Sequence, residues 1–212
     1  EDMLAFELLN EVTEKAYCDA WNRISDTCVK RIRALAPTIK ILIGGYYNNS
    51  IEALKDLLPP QDANIVYNFH CYEPLIFTHQ GAYWIDTMDT GFRTSLNQTY
   101  GDLENSSKAM LAQAYVGFEQ YPQDAHLDET YFMNLFQEAV SVAEERNVPL
   151  YCGEYGVINL ASPEDTLAWY RLIHAAFENC RIGRAAWSYK EMDYGLTDAH
   201  MDSVREEVLT LL

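Results

Sequence analysis

The sequence predicts an α/β fold, a parallel β-sheet with crossover helices, on three observations. Short β-rich runs recur along the chain, amphipathic helical stretches separate them, and two of the runs end in a carboxylate. Strand alternating with helix is the pattern of βαβ units, and an acid at a strand end is how a closed parallel sheet delivers a side chain into an active site.

The first run, residues 3–9, is apolar apart from Glu7, and the strand-like segment Phe6-Glu7-Leu8-Leu9-Asn10-Glu11 closes on a glutamate. Residues 39–43 (Ile-Lys-Ile-Leu-Ile) and 64–69 (Asn-Ile-Val-Tyr-Asn-Phe) have the length and richness of buried parallel strands. Two more follow at 149–153 and 182–188, the last less hydrophobic than the others. Between them, Tyr17, Trp21, Ile24, Cys28, Ile32 and Leu35 recur at helical spacing, and Pro37 ends that helix because it cannot continue one. Phe132, Leu135, Phe136, Ala139, Val140 and Ala143 form a second stripe. Trp169, Leu172, Ile173, Ala176, Phe177 and Cys180 form a third, opened by Ser162 as N-cap, Pro163 at the first helical position and Asp165 completing a capping box. Short helices are expected at about 51–58 and 202–211.

One connection breaks the alternation. From Cys71 to Glu129 no strand is expected, but the stretch carries Tyr72, Phe77, Tyr83, Trp84, Phe92, Tyr100, Tyr115, Phe118 and Tyr121. Such aromatic density argues for an ordered functional loop or insertion over 71–129, with some helix near 105–117 and most of its rings packed as a small core. The whole of 1–212 is expected to form a single domain.

With 212 residues, 49% of them hydrophobic, the chain can bury a sizeable core. A net charge of −17 with only 15 Lys and Arg argues against nucleic acid and anionic membrane surfaces, which need a basic patch. No apolar run is long enough to span a membrane, and no signal peptide is visible. The five cysteines, Cys18, Cys28, Cys71, Cys152 and Cys180, have neither C-x-x-C pairs nor regular spacing, so they read as small buried hydrophobes rather than zinc ligands or a disulfide framework. Three sequons, at Asn48, Asn97 and Asn105, decide little.

Glu11 and Glu154 are the residues around which chemistry gathers. Two carboxylates delivered to one strand-end edge are the equipment of a glycosidase, which needs one protonated acid for the leaving oxygen and one ionised group for the sugar carbon. His70 and Tyr72 share strand parity, so both point the same way if the strand continues to Tyr72. A phenol beside Glu154 stabilises a carboxylate by hydrogen bonding, and an imidazole near Glu11 tunes acid–base exchange. Trp187 offers a flat apolar face for a pyranose ring. Taken singly, His70 reads equally as a structural histidine, and Trp187 reads first as a core residue.

Together the segments are more specific. Phe6-Glu7-Leu8-Leu9-Asn10-Glu11, Phe69-His70-Cys71-Tyr72-Glu73-Pro74, Gly153-Glu154-Tyr155-Gly156 and Trp187-Ser188-Tyr189-Lys190 stand in the order and chemical context of glycoside hydrolase family 5, which this chain resembles along its whole length. The resemblance implies a partial (β/α)8 TIM barrel, strands 4 to 8 with their helices and a long aromatic loop after strand 6. It implies Glu11 as general acid/base and Glu154 as nucleophile of a retaining β-glycosidase, cellulase-like, acting on β-1,4-glucan, with mannan or xyloglucan as other substrates. It further implies that Asn10 contacts the sugar 2-hydroxyl, that His70 and Tyr72 orient Glu11 and Glu154, and that Trp187 lines the subsite at the cleaved bond. No metal or organic cofactor is required, and the substrate places the protein outside the cell.

Val12 stands where many members have proline, and the family's arginine and histidine from the second and third strands have no counterpart. Five strands cannot close an eight-strand barrel, so exposed edges are expected to drive self-association or pairing with an N-terminal segment. The chain alone is then expected to be weakly active or inactive, and the competing reading is an inert partial barrel that at most binds glycans. Tyr46, Tyr47, Asn48 and Asn49 either meet sugar hydroxyls or form an ordinary turn. Lys190 and Glu191 read as solvated loop charges near a subsite. Glu7 is expected to face the interior and to find its partner on a strand outside the chain. His79, His126, His174 and His200 show no ligand spacing and receive no role.

Overall fold

The computed structural model describes residues 4–111 and 117–212. In chain order its main elements are β1 (Ala5–Glu7), α1 (Cys18–Leu35), β2 (Lys40–Ile43), β3 (Ile65–Cys71), α2 (Tyr100–Met110), α3 (Glu129–Arg146), β4 (Leu150–Tyr155), α4 (Pro163–Cys180), β5 (Gly183–Arg184) and α5 (Arg205–Leu209). The strands form one five-stranded sheet in sequence order, β1-β2-β3-β4-β5. The pairs β1–β2, β2–β3 and β4–β5 run parallel, with Phe6 opposite Ile41, Leu42 opposite Val66, and Tyr151 opposite Gly183. A parallel neighbour needs a crossover connection, and the helices between the strands provide it.

The chain divides into two compact units. The first, Glu1–Cys71 with Asn134–Gly153 and Cys180–Arg184, contains most of the sheet. All seven residues of β3 are buried, as expected for a central strand covered on both faces, whereas all three of β1 are exposed. The predicted runs at both ends of the sheet are longer than the strands that form. β1 spans only Ala5–Glu7, extended by the Leu8 amide donating to the Leu42 carbonyl at 3.3 Å, and β5 has only two residues.

Helix α1 buries Trp21, Ser25 and Val29, one row at four-residue spacing, and the Trp21 indole donates to the Gly44 carbonyl at 2.8 Å. Tyr17, Ile24 and Leu35, assigned to the apolar stripe on spacing alone, are instead exposed. Periodicity finds the helix, but the row that is buried depends on what lies beside it. Arg33 binds Asp62 in a two-pronged pair (2.7 and 3.0 Å) and donates to the Ile39 carbonyl at 2.7 Å. That guanidinium holds the Asp62 carboxyl below its ordinary range. At the end of α3, Arg146 reaches the Leu54 and Leu57 carbonyls (3.2 and 2.8 Å) and the Tyr67 hydroxyl (3.0 Å). It thereby fastens the 3-10 turn at Ile51–Asp56, where a short helix was expected.

Glu7 has its partner within the chain, contrary to expectation: the Asn68 amide donates to its Oε1 at 2.6 Å. Asn68 itself is fully buried and lies beside Gly153, where an added Cβ would stand 2.6 Å from its Oδ1. Glycine is therefore the residue that lets β4 approach this amide.

The second unit comprises Tyr72–Met133, Glu154–Asn179 and Ala185–Leu212. Its long connection holds a single turn at Leu75–Thr78 and helix α2, which Thr99 and Asp102 open with a capping box. The expected helix near 105–117 thus begins earlier, at Tyr100, while Tyr115 and the rest of 112–116 lie outside the described residues. Tyr100 stacks on Tyr121 with ring centroids 4.5 Å apart, and Phe118 and Tyr131 complete a ring cluster that packs the connection, as its aromatic density suggested. Helix α4 has Ser162 as its N-cap and Pro163 at its first position, as expected, the Asp165 amide donating to Ser162 Oγ at 3.1 Å while the Asp165 carboxylate accepts from Ser95 Oγ at 3.2 Å, and it buries Trp169, Tyr170, Ile173 and Phe177. The expected C-terminal helix is a 3-10 turn at Ala199–Met201 followed by α5. The five cysteines are free thiols, with Cys71 and Cys152 fully buried.

Candidate active site

The candidate residues fall into two clusters, one in each unit. In the first, His70 stands one residue before the end of β3, its side chain is only 2% exposed, and its Nδ1 lies 2.9 Å from Glu11 Oε1. Glu11 stands four residues beyond β1 rather than within it, and its side chain is 30% exposed. A carboxylate with one face toward solvent and one oxygen held by an imidazole is able to exchange a proton while keeping its orientation. Asn10 is exposed.

Behind His70 sits a residue that sequence reading left undecided. Asn49 is 1% exposed, and its amide nitrogen lies 3.3 Å from His70 Nε2 while also donating to the Asn10 carbonyl. Its burial removes it from any contact with sugar hydroxyls. Tyr47 and Asn48 beside it are exposed. The three residues Tyr47, Asn48 and Asn49 have φ of 50°, 56° and 59°, a left-handed turn. Two asparagines in succession are the only sequence signal for it, since Asn tolerates that conformation better than most residues.

In the second cluster, Glu154 follows the last residue of β4 belonging to the first unit. The Tyr72 hydroxyl donates to Glu154 Oε2 at 2.8 Å. Tyr72 is in turn held by rings: His79 and Tyr194 meet it edge-on at 5.2 and 5.7 Å, and His79 and Tyr194 meet each other at 5.7 Å. Trp187 is half-buried and packs on Ala82, Ile158 and Tyr194, with its amide donating to the Tyr155 carbonyl at 2.9 Å. Burial pulls the His79 imidazole down to about 4 and pushes the Tyr194 phenol up, the latter reinforced by the Asp193 and Glu154 charges. Both residues escaped the sequence reading because a supporting ring has no spacing signature of its own. A phenol locked among rings presents its hydroxyl to Glu154 in one orientation, which fixes the carboxylate rotamer.

The family model for Cellulase (glycosyl hydrolase family 5) matches residues 1–193. The chain is 42% identical over 183 residues to cellodextrinase A of Ruminococcus flavefaciens, covering 86% of this chain and 47% of that protein. It is 34% identical over 209 residues to endoglucanase C of Acetivibrio thermocellus, covering 99% and 60%. The chain thus spans about half to three fifths of the length of these relatives. Among solved structures, cellulose synthase subunit Z of Clostridioides difficile aligns at a TM-score of 0.74 and 26% identity, covering all of this chain and 62% of that one. Thermotoga maritima Cel5A in complex with cellobiose aligns at 0.75 and 23% identity, covering all of this chain and 60% of that one. The fold is therefore α/β, a partial (β/α)8 barrel of five strands.

Proposed function

Because the chain belongs to glycosyl hydrolase family 5, we propose that it is a retaining β-glycoside hydrolase of β-1,4-glucan, working outside the cell through Glu11 and Glu154. The observation that carries the assignment is that each glutamate has its own dedicated partner, Glu11 the His70 imidazole and Glu154 the Tyr72 hydroxyl. Different partners suit different tasks for two otherwise identical acids. Glu154 attacks the anomeric carbon while Glu11 gives its proton to the glycosidic oxygen, so that the C–O bond breaks and a glycosyl ester forms on Glu154. Glu11, now ionised, takes a proton from water, which attacks the same carbon and releases Glu154. Two inversions leave the β configuration retained. His70 and Tyr72 keep the carboxylates oriented through both steps, Asn10 binds the 2-hydroxyl, and Trp187 lines the subsite at the cleaved bond. The reaction requires no metal or organic cofactor.

Reducing-sugar release from a soluble cellulose derivative tests the reading, with proton NMR to identify the anomer released first. The β anomer is expected, and Glu154→Gln is expected to abolish turnover. An α anomer first, or activity surviving in Glu154→Gln, overturns the assignment.

The exposure of β1 favours a second reading of how the chain works. Leu4 and Phe6 are 66% and 46% exposed beside an edge strand, and such edges recruit further strands. In this reading, pairing with a second copy or with a separate N-terminal segment completes the barrel, and the isolated chain is weakly active or only binds glycans. Light scattering alongside the activity assay distinguishes the two, since a monomer with high turnover excludes the second.

A further inference from the structure

We propose that Asn49 is a positioning residue that sets the tautomer of His70 and clamps the segment carrying Glu11. The inference rests on the reading of Glu11 as acid/base and extends it to the residue behind its imidazole partner.

The geometry leaves little choice of hydrogen placement. The terminal atom of Asn49 that faces the Asn10 carbonyl must be the amide nitrogen, because an oxygen there would oppose another acceptor. An amide nitrogen carries two hydrogens. One goes to the Asn10 carbonyl, and the other points to His70 Nε2, 3.3 Å away. A nitrogen facing a donor has to accept, so Nε2 is the unprotonated atom of a neutral ring. The proton is then on Nδ1, which donates to Glu11 Oε1 at 2.9 Å. With the opposite tautomer, Nδ1 and the Glu11 oxygen would be two acceptors facing one another whenever Glu11 is ionised, as it must be while it activates water.

The same turn grips the backbone on both sides of Glu11. Asn49 holds the Asn10 carbonyl, and the Asn48 amide donates to the Val12 carbonyl at 3.0 Å. Three consecutive left-handed residues are a costly arrangement for side chains other than glycine, and such strain concentrates at functional sites. Gly44 makes room for the arrangement: a Cβ there would stand 2.1 Å from Asn49 Oδ1. Asn10, Glu11, His70 and Asn49 thus form a closed ring of contacts, each member fixed by two others.

The test reads the tautomer directly. In protein labelled with 15N-histidine, the His70 signals are assigned by their loss in His70→Gln. Wild type is expected to show a protonated Nδ1 and an unprotonated Nε2. Asn49→Asp keeps the shape and the tolerance of left-handed φ but removes both donors. Only a donor is able to face its carboxylate, so Nε2 is expected to become protonated, with kcat falling about tenfold or more and KM nearly unchanged. If Asn49→Asp does not fold, Gly44→Ala, which displaces the amide, is expected to shift the same signals. A protonated Nε2 in wild type, or the wild-type tautomer persisting in these variants, overturns the proposal. A wild type with the expected tautomer but no hydrolysis upholds the tautomer claim and favours the reading in which the isolated chain is inactive.

Discussion

Substituting Gly153 with alanine probes a close approach within the first unit. The added methyl would stand 2.6 Å from Asn68 Oδ1 and 2.8 Å from Nδ2, whereas ordinary contact begins near about 3.4 Å. The amide must then shift by roughly 0.8 Å, which disturbs its bond to Glu7 Oε1, now 2.6 Å long. Overpacking of this kind costs about 1–3 kcal/mol, and disturbing a partly buried hydrogen bond to a carboxylate adds about 1 kcal/mol. Together they put the loss near 3 kcal/mol, a fall in Tm of about 6–12 °C for a chain this long. The decisive comparison is made in an Asn68→Ala background. There the atoms that the methyl would strike are gone, so Gly153→Ala is expected to change stability by less than about 0.5 kcal/mol, leaving a coupling of about 2–3 kcal/mol between the sites. Thermal unfolding of wild type, both single variants and the double variant supplies the cycle. Equal costs for Gly153→Ala in the two backgrounds would refute the reasoning, because the penalty would then have nothing to do with Asn68.

Two further perturbations follow from side-chain chemistry. Arg146→Met keeps the aliphatic stem but takes the guanidinium donors from the Lys55 and Leu57 carbonyls, while the Leu54 carbonyl keeps the Leu57 amide and the Tyr67 hydroxyl keeps the Leu58 carbonyl, for an expected loss of about 2 kcal/mol by urea denaturation; Arg146→Lys is expected to restore little, since one ammonium does not reproduce the fork, and full recovery with lysine would contradict this. His79 titrates near 4 when folded and near 6.5 in a free chain, so between these values the unfolded state binds the extra proton. Stability contributed by this group is therefore complete above about pH 6.5 and lost as pH falls toward 4, by about 3 kcal/mol. His79→Asn, which keeps a donor toward Thr78 Oγ1, is expected to flatten that slope in denaturation curves at pH 4.5 and 7, and an unchanged slope would count against it.

Much of the fold was legible because it depends on local pattern. Apolar runs marked all five strands, and helical spacing together with Pro37, Ser162 and Pro163 located α1 and α4 to within a residue or so. The pairs Glu11–His70 and Glu154–Tyr72 were implied by the family resemblance, and both contacts are present. What escaped the sequence has a common physical character. Ile24 and Leu35 share the helical spacing of the buried row but are exposed, because burial depends on a neighbour that spacing does not name. Glu7 finds Asn68, sixty-one residues away, and nothing in either residue's surroundings in the sequence advertises the bond.

The sequence by itself determined the α/β alternation and the family, since hydrophobic period, caps and short motifs are properties of neighbouring residues. Only the tertiary structure decided that Asn49 lies behind His70 instead of facing a sugar, that His79 and Tyr194 brace Tyr72, and that Gly44 and Gly153 are required by close approach. These depend on distances of a few ångströms between residues far apart in the chain, which packing sets and local pattern does not encode.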